Sequence, residues 1–124
     1  MVYTSEATNK LDEGDVFNIV QKSVSNNMAR GVTGFLIYDR NRFLQFIEGE
    51  NGDLQSLLAT LRTDDRHANI AVLVDEPSDA RRFERWRMQR VTNDENSIRQ
   101  VKHSLAAGPG GRVIIQQVDA FLRR

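Results

Sequence analysis

Arg42-Phe43-Leu44-Gln45-Phe46-Ile47-Glu48-Gly49 is the stretch from which the rest of the chain is read. Phe43, Leu44, Phe46 and Ile47 form a nearly unbroken apolar run, with Asp39-Arg40-Asn41 before it and Gly49 after it. A strand with one wet side alternates apolar and polar residues, so this run predicts a strand covered on both faces. Gln45 interrupts it. A neutral amide is costly to bury unless both its carbonyl and its NH2 find partners. The glutamine is therefore either satisfied by backbone and water or turned toward a ligand.

Upstream, Val2-Tyr3-Thr4-Ser5 reads as a short strand with Tyr3 and Ser5 on one face and Val2 and Thr4 on the other. Asp12 can cap a helix whose apolar positions are Val16, Ile19, Val20 and Val24. That helix should run to about Asn26-Asn27-Met28, with Gly31 as its stop. Val32 to Tyr38 is a strand interrupted by Gly34, and Asp39-Arg40-Asn41 turns it back into the Phe43–Ile47 strand.

Downstream, Asn51 is the expected cap of a second helix with a Leu54, Leu57, Leu58 and Leu61 stripe. Asp64 to Asn69 reads as a polar connector. Ile70-Ala71-Val72-Leu73-Val74 lacks alternation, which predicts a central strand covered twice. Glu76-Pro77-Ser78-Asp79 should break it, and Arg81-Arg82-Phe83 leads to a short strand near Trp86-Arg87-Met88-Gln89. Asn93 to Ala106 and Val113 to Leu122 read as helices around a Gly108-Pro109-Gly110-Gly111 break. Ile114, Val118, Phe121 and Leu122 share one side of the last helix.

The order β-α-β-β-α-β with a short fifth strand predicts an α+β, ferredoxin-like sheet. Two helices should cover one face and the C-terminal helices the other. In that topology the first and third strands are neighbours, which brings Tyr3 beside Gln45. Residues 1–91 form the expected core, and 92–124 a helical cap of the same domain.

Composition narrows the function. The chain has 124 residues, enough for one domain with a real core, and no cysteine, which excludes thiolate metal sites. Two histidines, His67 and His103, are too few and too far apart for a protein-only metal site. Lys+Arg and Asp+Glu balance at 17 each, which argues against a nucleic-acid binder. No apolar run reaches membrane-span length and no signal-peptide plan opens the chain, so a soluble, cytoplasmic protein is expected.

Tyr3 and Gln45 on adjacent strands, with Asn26 and Asn27 at the last turn of the first helix, converge on the space between the two helices. A phenol and several amides suit a flat heteroaromatic ligand with carbonyl and NH edges. Val20, Val24, Phe43 and Leu57 could clamp its faces. Each residue alone has a plainer reading: Tyr3 as a strand aromatic, Asn26-Asn27 as a helix end, Arg66-His67 as a solvated loop. His103 reads as a surface residue, Arg81-Arg82-Phe83-Glu84-Arg85 as a solvated charge run, and Trp86 and Met88 as buried.

Tyr3-Thr4-Ser5-Glu6-Ala7, Asn26-Asn27, Val32-Thr33-Gly34 and Phe43 to Gly49, followed by Asp64-Asp65-Arg66-His67 and Arg81 to Met88, together resemble the BLUF family. These are blue-light sensors using flavin adenine dinucleotide (FAD). The resemblance covers about residues 2 to 90 and rests on the order and spacing of the motifs. It implies that Tyr3 gives an electron and a proton to the excited flavin. It implies that Gln45 bridges that tyrosine and the flavin N5/O4 edge and rearranges after light. Asn27, with Asn26 beside it, would hold the carbonyl edge. Asp64, Arg66 and His67 match a stretch near the pyrimidine end and the ribityl-phosphate exit. Trp86 and Met88 match two residues that compete for the place beside the glutamine and relay the signal.

The expected protein is a stand-alone photoreceptor, not an enzyme, that signals to a separate effector or through a homo-oligomer. The competing expectation is a ferredoxin-like ligand-binding or interaction module without a photocycle.

Overall fold

A computed structural model describes residues 1–75, 81, 83, 85–108 and 110–123. The elements run β1 (Val2–Ala7), α1 (Glu13–Arg30), β2 (Thr33–Asp39), β3 (Arg42–Glu48), α2 (Asn51–Arg62), β4 (His67–Val74), β5 (Arg87–Val91), α3 (Glu95–Ala106) and α4 (Gly111–Arg123). The strands form one sheet in the order β4-β1-β3-β2-β5. The first four pair antiparallel in the ferredoxin-like arrangement, and β5 adds itself parallel to β2. The expected break at Glu76-Pro77-Ser78-Asp79 lies outside the described residues, as do Arg82, Glu84 and Pro109.

Local chemistry explains the ends of α1. The Asp12 carboxylate accepts from the Asp15 amide at 2.8 Å, and Asp15 reaches back to the Asp12 amide at 3.1 Å. This reciprocal cap satisfies two of the amides that a helix leaves open. At the other end Gly31 adopts a left-handed φ of 65° and donates to the Asn27 and Met28 carbonyls. The helix therefore stops just after the asparagines. Gly34 is required for a different reason. A Cβ there would lie 1.8 Å from the Phe46 carbonyl oxygen, so β2 and β3 approach as closely as they do only because it is glycine.

Two cores lie on opposite sides of the sheet. Tyr3, Leu36, Phe43, Ile47 and Met88 face α1 and α2, packed with Val16, Ile19, Leu54, Leu57 and Leu58. Val2, Phe35, Ile37, Leu44 and Phe46 face α3 and α4, where Val101, Leu105, Ile114, Val118 and Phe121 cover them. The Phe43–Ile47 run is thus covered twice, as its pattern required. Arg40 and Arg42 of the β2–β3 hairpin hold the end of α4 by bonds to the carbonyls of Phe121 and Leu122, and the Arg42 guanidinium lies 4.6 Å from the Phe121 ring centroid.

Three expectations are corrected. Ile70 to Val74 is not central: β4 is an edge strand, and Ala71, Val72 and Leu73 are exposed. An unbroken apolar run does not by itself say how many layers cover it. The polar connector ends at Arg66, because β4 begins at His67, where His67 and Ala68 already pair with β1 and Asn69 sits at an irregularity in the ladder. Asn51 is the first helical residue of α2, not its cap; Glu50 holds the cap position without a side-chain hydrogen bond.

Candidate functional site

In the β1–β3 ladder Tyr3 lies directly opposite Gln45, and Gln45 lies opposite Leu36 of β2. Tyr3 and Gln45 are buried, and the phenol donates to Gln45 Oε1 at 2.6 Å. That bond fixes the amide, since the phenol proton needs the carbonyl oxygen and not the NH2 as its acceptor. Gln45 Nε2 is left without a partner among the described residues. Burial pushes the Tyr3 phenol well above its ordinary pKa, so it holds its proton.

Both residues line a cavity of about 310 Å³ between α1 and α2, with Asn26, Asn27, Asp64, Arg66 and His67 also on its wall. The structure therefore brings together the residues that the sequence singled out there, except Trp86 and Met88, which lie outside the wall. Asn27 is fully buried, and neither Nδ2 nor Oδ1 has a hydrogen-bond partner among the described residues. An amide orphaned in this way costs about 1–3 kcal/mol unless a ligand answers it. A flavin ring edge, with adjacent carbonyl and NH groups, offers what Asn27 and the free Gln45 Nε2 need. The residues present fit FAD.

Asp64 and Arg66 form a two-pronged ion pair, with Arg66 Nε to Oδ1 at 3.0 Å and Nη2 to Oδ2 at 2.7 Å. The side-chain bond from Arg66 is the main cause that holds the Asp64 carboxyl down at about 2. His67 is buried with its ring 4.7 Å from that of Phe43, and desolvation lowers its pKa. Leu57 is on the cavity wall as expected and Ile19 joins it. Val20 and Phe43 are buried in the adjacent core and Val24 packs partly against it.

Lys22, Ser23, Thr60 and Thr63 also line the cavity and were not singled out in the sequence, and Asp65, on the wall too, entered there only as part of its motif. Lys22 and Ser23 precede Asn26 and Asn27 by one helical turn, so helical spacing could have found them. Arg30 could not be read in this way. It bonds the Asn26 carbonyl and reaches Ser56 and Thr60 of α2, tying together the helices that bound the cavity.

Trp86 and Met88 are two residues apart and should share a face in a regular strand. They do not. Met88 is buried in the core with Tyr3, whereas Trp86 is only half-buried and packs on Phe83, 4.8 Å between centroids, in the core of the other face. The cause is a bulge: Gly34 pairs with Arg87 and Phe35 with Gln89, leaving Met88 as the extra residue with a φ of 72°. His103 is exposed, as are Arg81 and Arg85, while Phe83 between them is buried.

Known proteins share this architecture. The family described as BLUF, sensors of blue light using FAD, matches residues 1–89. The photoactivated adenylate cyclase subunit beta of Euglena gracilis is 29% identical over 120 residues, 95% of this chain but 13% of that protein. Across three such cyclase subunits the chain spans only 9% to 13% of the relative's length. Among solved structures, the dark-state BLUF protein BlrB superposes with a TM-score of 0.73 at 28% identity, covering 96% of this chain and 92% of that one. The photo-activated state of BlsA gives 0.71 at 29% identity, covering 84% and 75%. No helix among the described residues is long and apolar enough to cross a membrane. With a family match over most of its length and a cavity whose orphaned amides suit a flavin edge, this chain belongs to the BLUF family of blue-light sensors using FAD.

Proposed function

We propose that the light response of this chain runs through the Tyr3–Gln45 pair. The 2.6 Å bond from the buried phenol to Oε1 is the observation that carries this reading. The bound flavin supplies a blue-light-excited acceptor for one electron and one proton. Tyr3 holds the proton in the dark, and Gln45 Oε1 is the only acceptor beside it among the described hydrogen bonds. When the proton leaves and returns along that bond, the amide can come back rotated or tautomerised, with donor and acceptor exchanged. A hydrogen-bond change is worth about 0.5–1.5 kcal/mol net, enough to bias a two-state element.

Asn27, with Asn26 beside it, would hold the carbonyl edge of the ring, and Asp64, Arg66 and His67 its pyrimidine end and the exit of the ribityl-phosphate chain. The Arg66 charge is already matched by Asp64, so it would orient more than it neutralises. Met88 on β5 and Trp86 just ahead of it would pass the change to α3 and α4. Residues 1–91 then act as the sensor and 92–124 as its output cap. The chain itself would catalyse no reaction and would signal to a separate protein or through association of its own copies.

The test is spectroscopic. Purified protein should be yellow and show a small reversible red shift under blue light, and Tyr3→Phe should stay yellow without the shift. An undiminished shift in Tyr3→Phe removes the pair from the mechanism. Sizing runs in light and in darkness then separate a change of oligomer from signalling to another protein.

A further inference from the structure

Ser5 lies two residues after Tyr3 on the same face of β1 and has no part in the mechanism above. It is buried, and its Oγ stands 2.9 Å from Nδ1 of His67. The described structure gives Ser5 no other side-chain hydrogen bond. A buried hydroxyl must place its proton on an acceptor. Among the described side chains the acceptor within reach is the Nδ1 lone pair. The reverse arrangement, Nδ1–H donating to Oγ, would leave the serine proton unanswered.

An imidazole nitrogen that accepts carries no proton, so a neutral ring then carries its proton on Nε2. Neutrality is favoured because desolvation lowers the His67 pKa and Arg66 works in the same direction, against the attraction of Asp64. The ring plane is held by Phe43, at 4.7 Å and 50°. Its Nε2 has no partner among the described residues, and the residue lines the cavity.

We infer that Ser5 is a positioning residue: it locks His67 as the Nε2–H tautomer and so presents one N–H donor to an acceptor oxygen of the bound flavin. This rests on the flavin reading for the ligand, but the tautomer itself is a property of the protein. The serine is a stronger determinant than its size indicates, because it chooses which nitrogen of a neighbouring residue faces the cofactor.

The experiment is a long-range ¹H–¹⁵N correlation spectrum of the full, ¹⁵N-labelled, FAD-loaded chain in darkness. Only His67 and His103 contribute, and His103→Gln assigns them. Wild type should show the His67 proton on Nε2. Ser5→Ala should give a mixture of tautomers and speed FAD dissociation about fivefold, the loss of one ordinary hydrogen bond. Ser5→Thr should restore both. A wild-type proton on Nδ1, or a tautomer that ignores Ser5→Ala, overturns the inference while the flavin reading stands. An unchanged dissociation rate in Ser5→Ala overturns the donor role. If no FAD binds, the flavin reading fails, and the spectrum of the flavin-free chain still decides whether Ser5 sets the tautomer.

Discussion

On β3, Leu44 and Phe46 turn toward α3 and α4, while Phe43, Gln45 and Ile47 turn toward α1 and α2. The first side is closed by apolar contact: Phe35, Phe46 and Phe83 stack within 5.3–5.5 Å of one another, and none of them lines the cavity between α1 and α2. On the second side a glutamine, a tyrosine, an asparagine and a histidine are buried around an opening. One strand thus contributes ordinary core to one face and unfinished hydrogen bonding to the other. The polar burial here is therefore not a failure of packing. The sheet is held by the closed face, which lets the open face keep groups that only a ligand completes.

If that division holds, variants on the two faces should fail in different ways. Phe35→Ala should cost about 3–5 kcal/mol in urea unfolding, since the ring is fully buried and touches two others. A loss below about 1 kcal/mol would mean that the closed face is not what holds the sheet. Asn27→Ala should weaken FAD binding about tenfold, or about 1.4 kcal/mol, by titration. The same variant should leave unfolding of the flavin-free chain within about 1 kcal/mol of wild type, because the amide it removes has no partner to lose among the described residues. Tyr3→Phe should cost about 1 kcal/mol of stability, the net worth of one hydrogen bond, while abolishing the light-induced shift. Gln45→Leu should likewise keep the flavin and lose the shift.

The smallest effect concerns acid. The folded Asp64 carboxyl sits at about 2, below its ordinary 3.8, so between those values the unfolded chain binds more protons than the folded one. Its contribution is present above pH 4 or so and is lost as the pH falls toward about 2. His67, lowered by burial, acts with the same sign from its ordinary 6.5 downward. Asp64→Asn should flatten the acid end of the stability profile without changing the response to light.

The sequence carried the element order, the sheet topology and the Tyr3–Gln45 pairing, because strand alternation and helix periodicity report directly on which face a side chain takes. It carried the convergence of Asn26 and Asn27 for the same reason. It misplaced β4, where Val72 and Leu73 are apolar yet exposed, because hydrophobicity marks what can be buried and not what is. The Asp12 cap was legible because the acids of its first turn point to the helix dipole; the Asn51 cap was not, because a good capping residue beside a glycine fits two registers. The opposed faces of Trp86 and Met88 were beyond reach, since nothing in the residues between them announces an extra one in the ladder.

That extra residue gives β5 slack. A methionine with a left-handed backbone holds about 1–3 kcal/mol of strain, comparable to a single hydrogen bond. Ironing out the kink would feed the segment ahead of it forward by one place along β2 and turn its side chains over. The chain could thereby bring the indole to the face that Tyr3 and Met88 share without unpairing the sheet, a change of thread and not of weave.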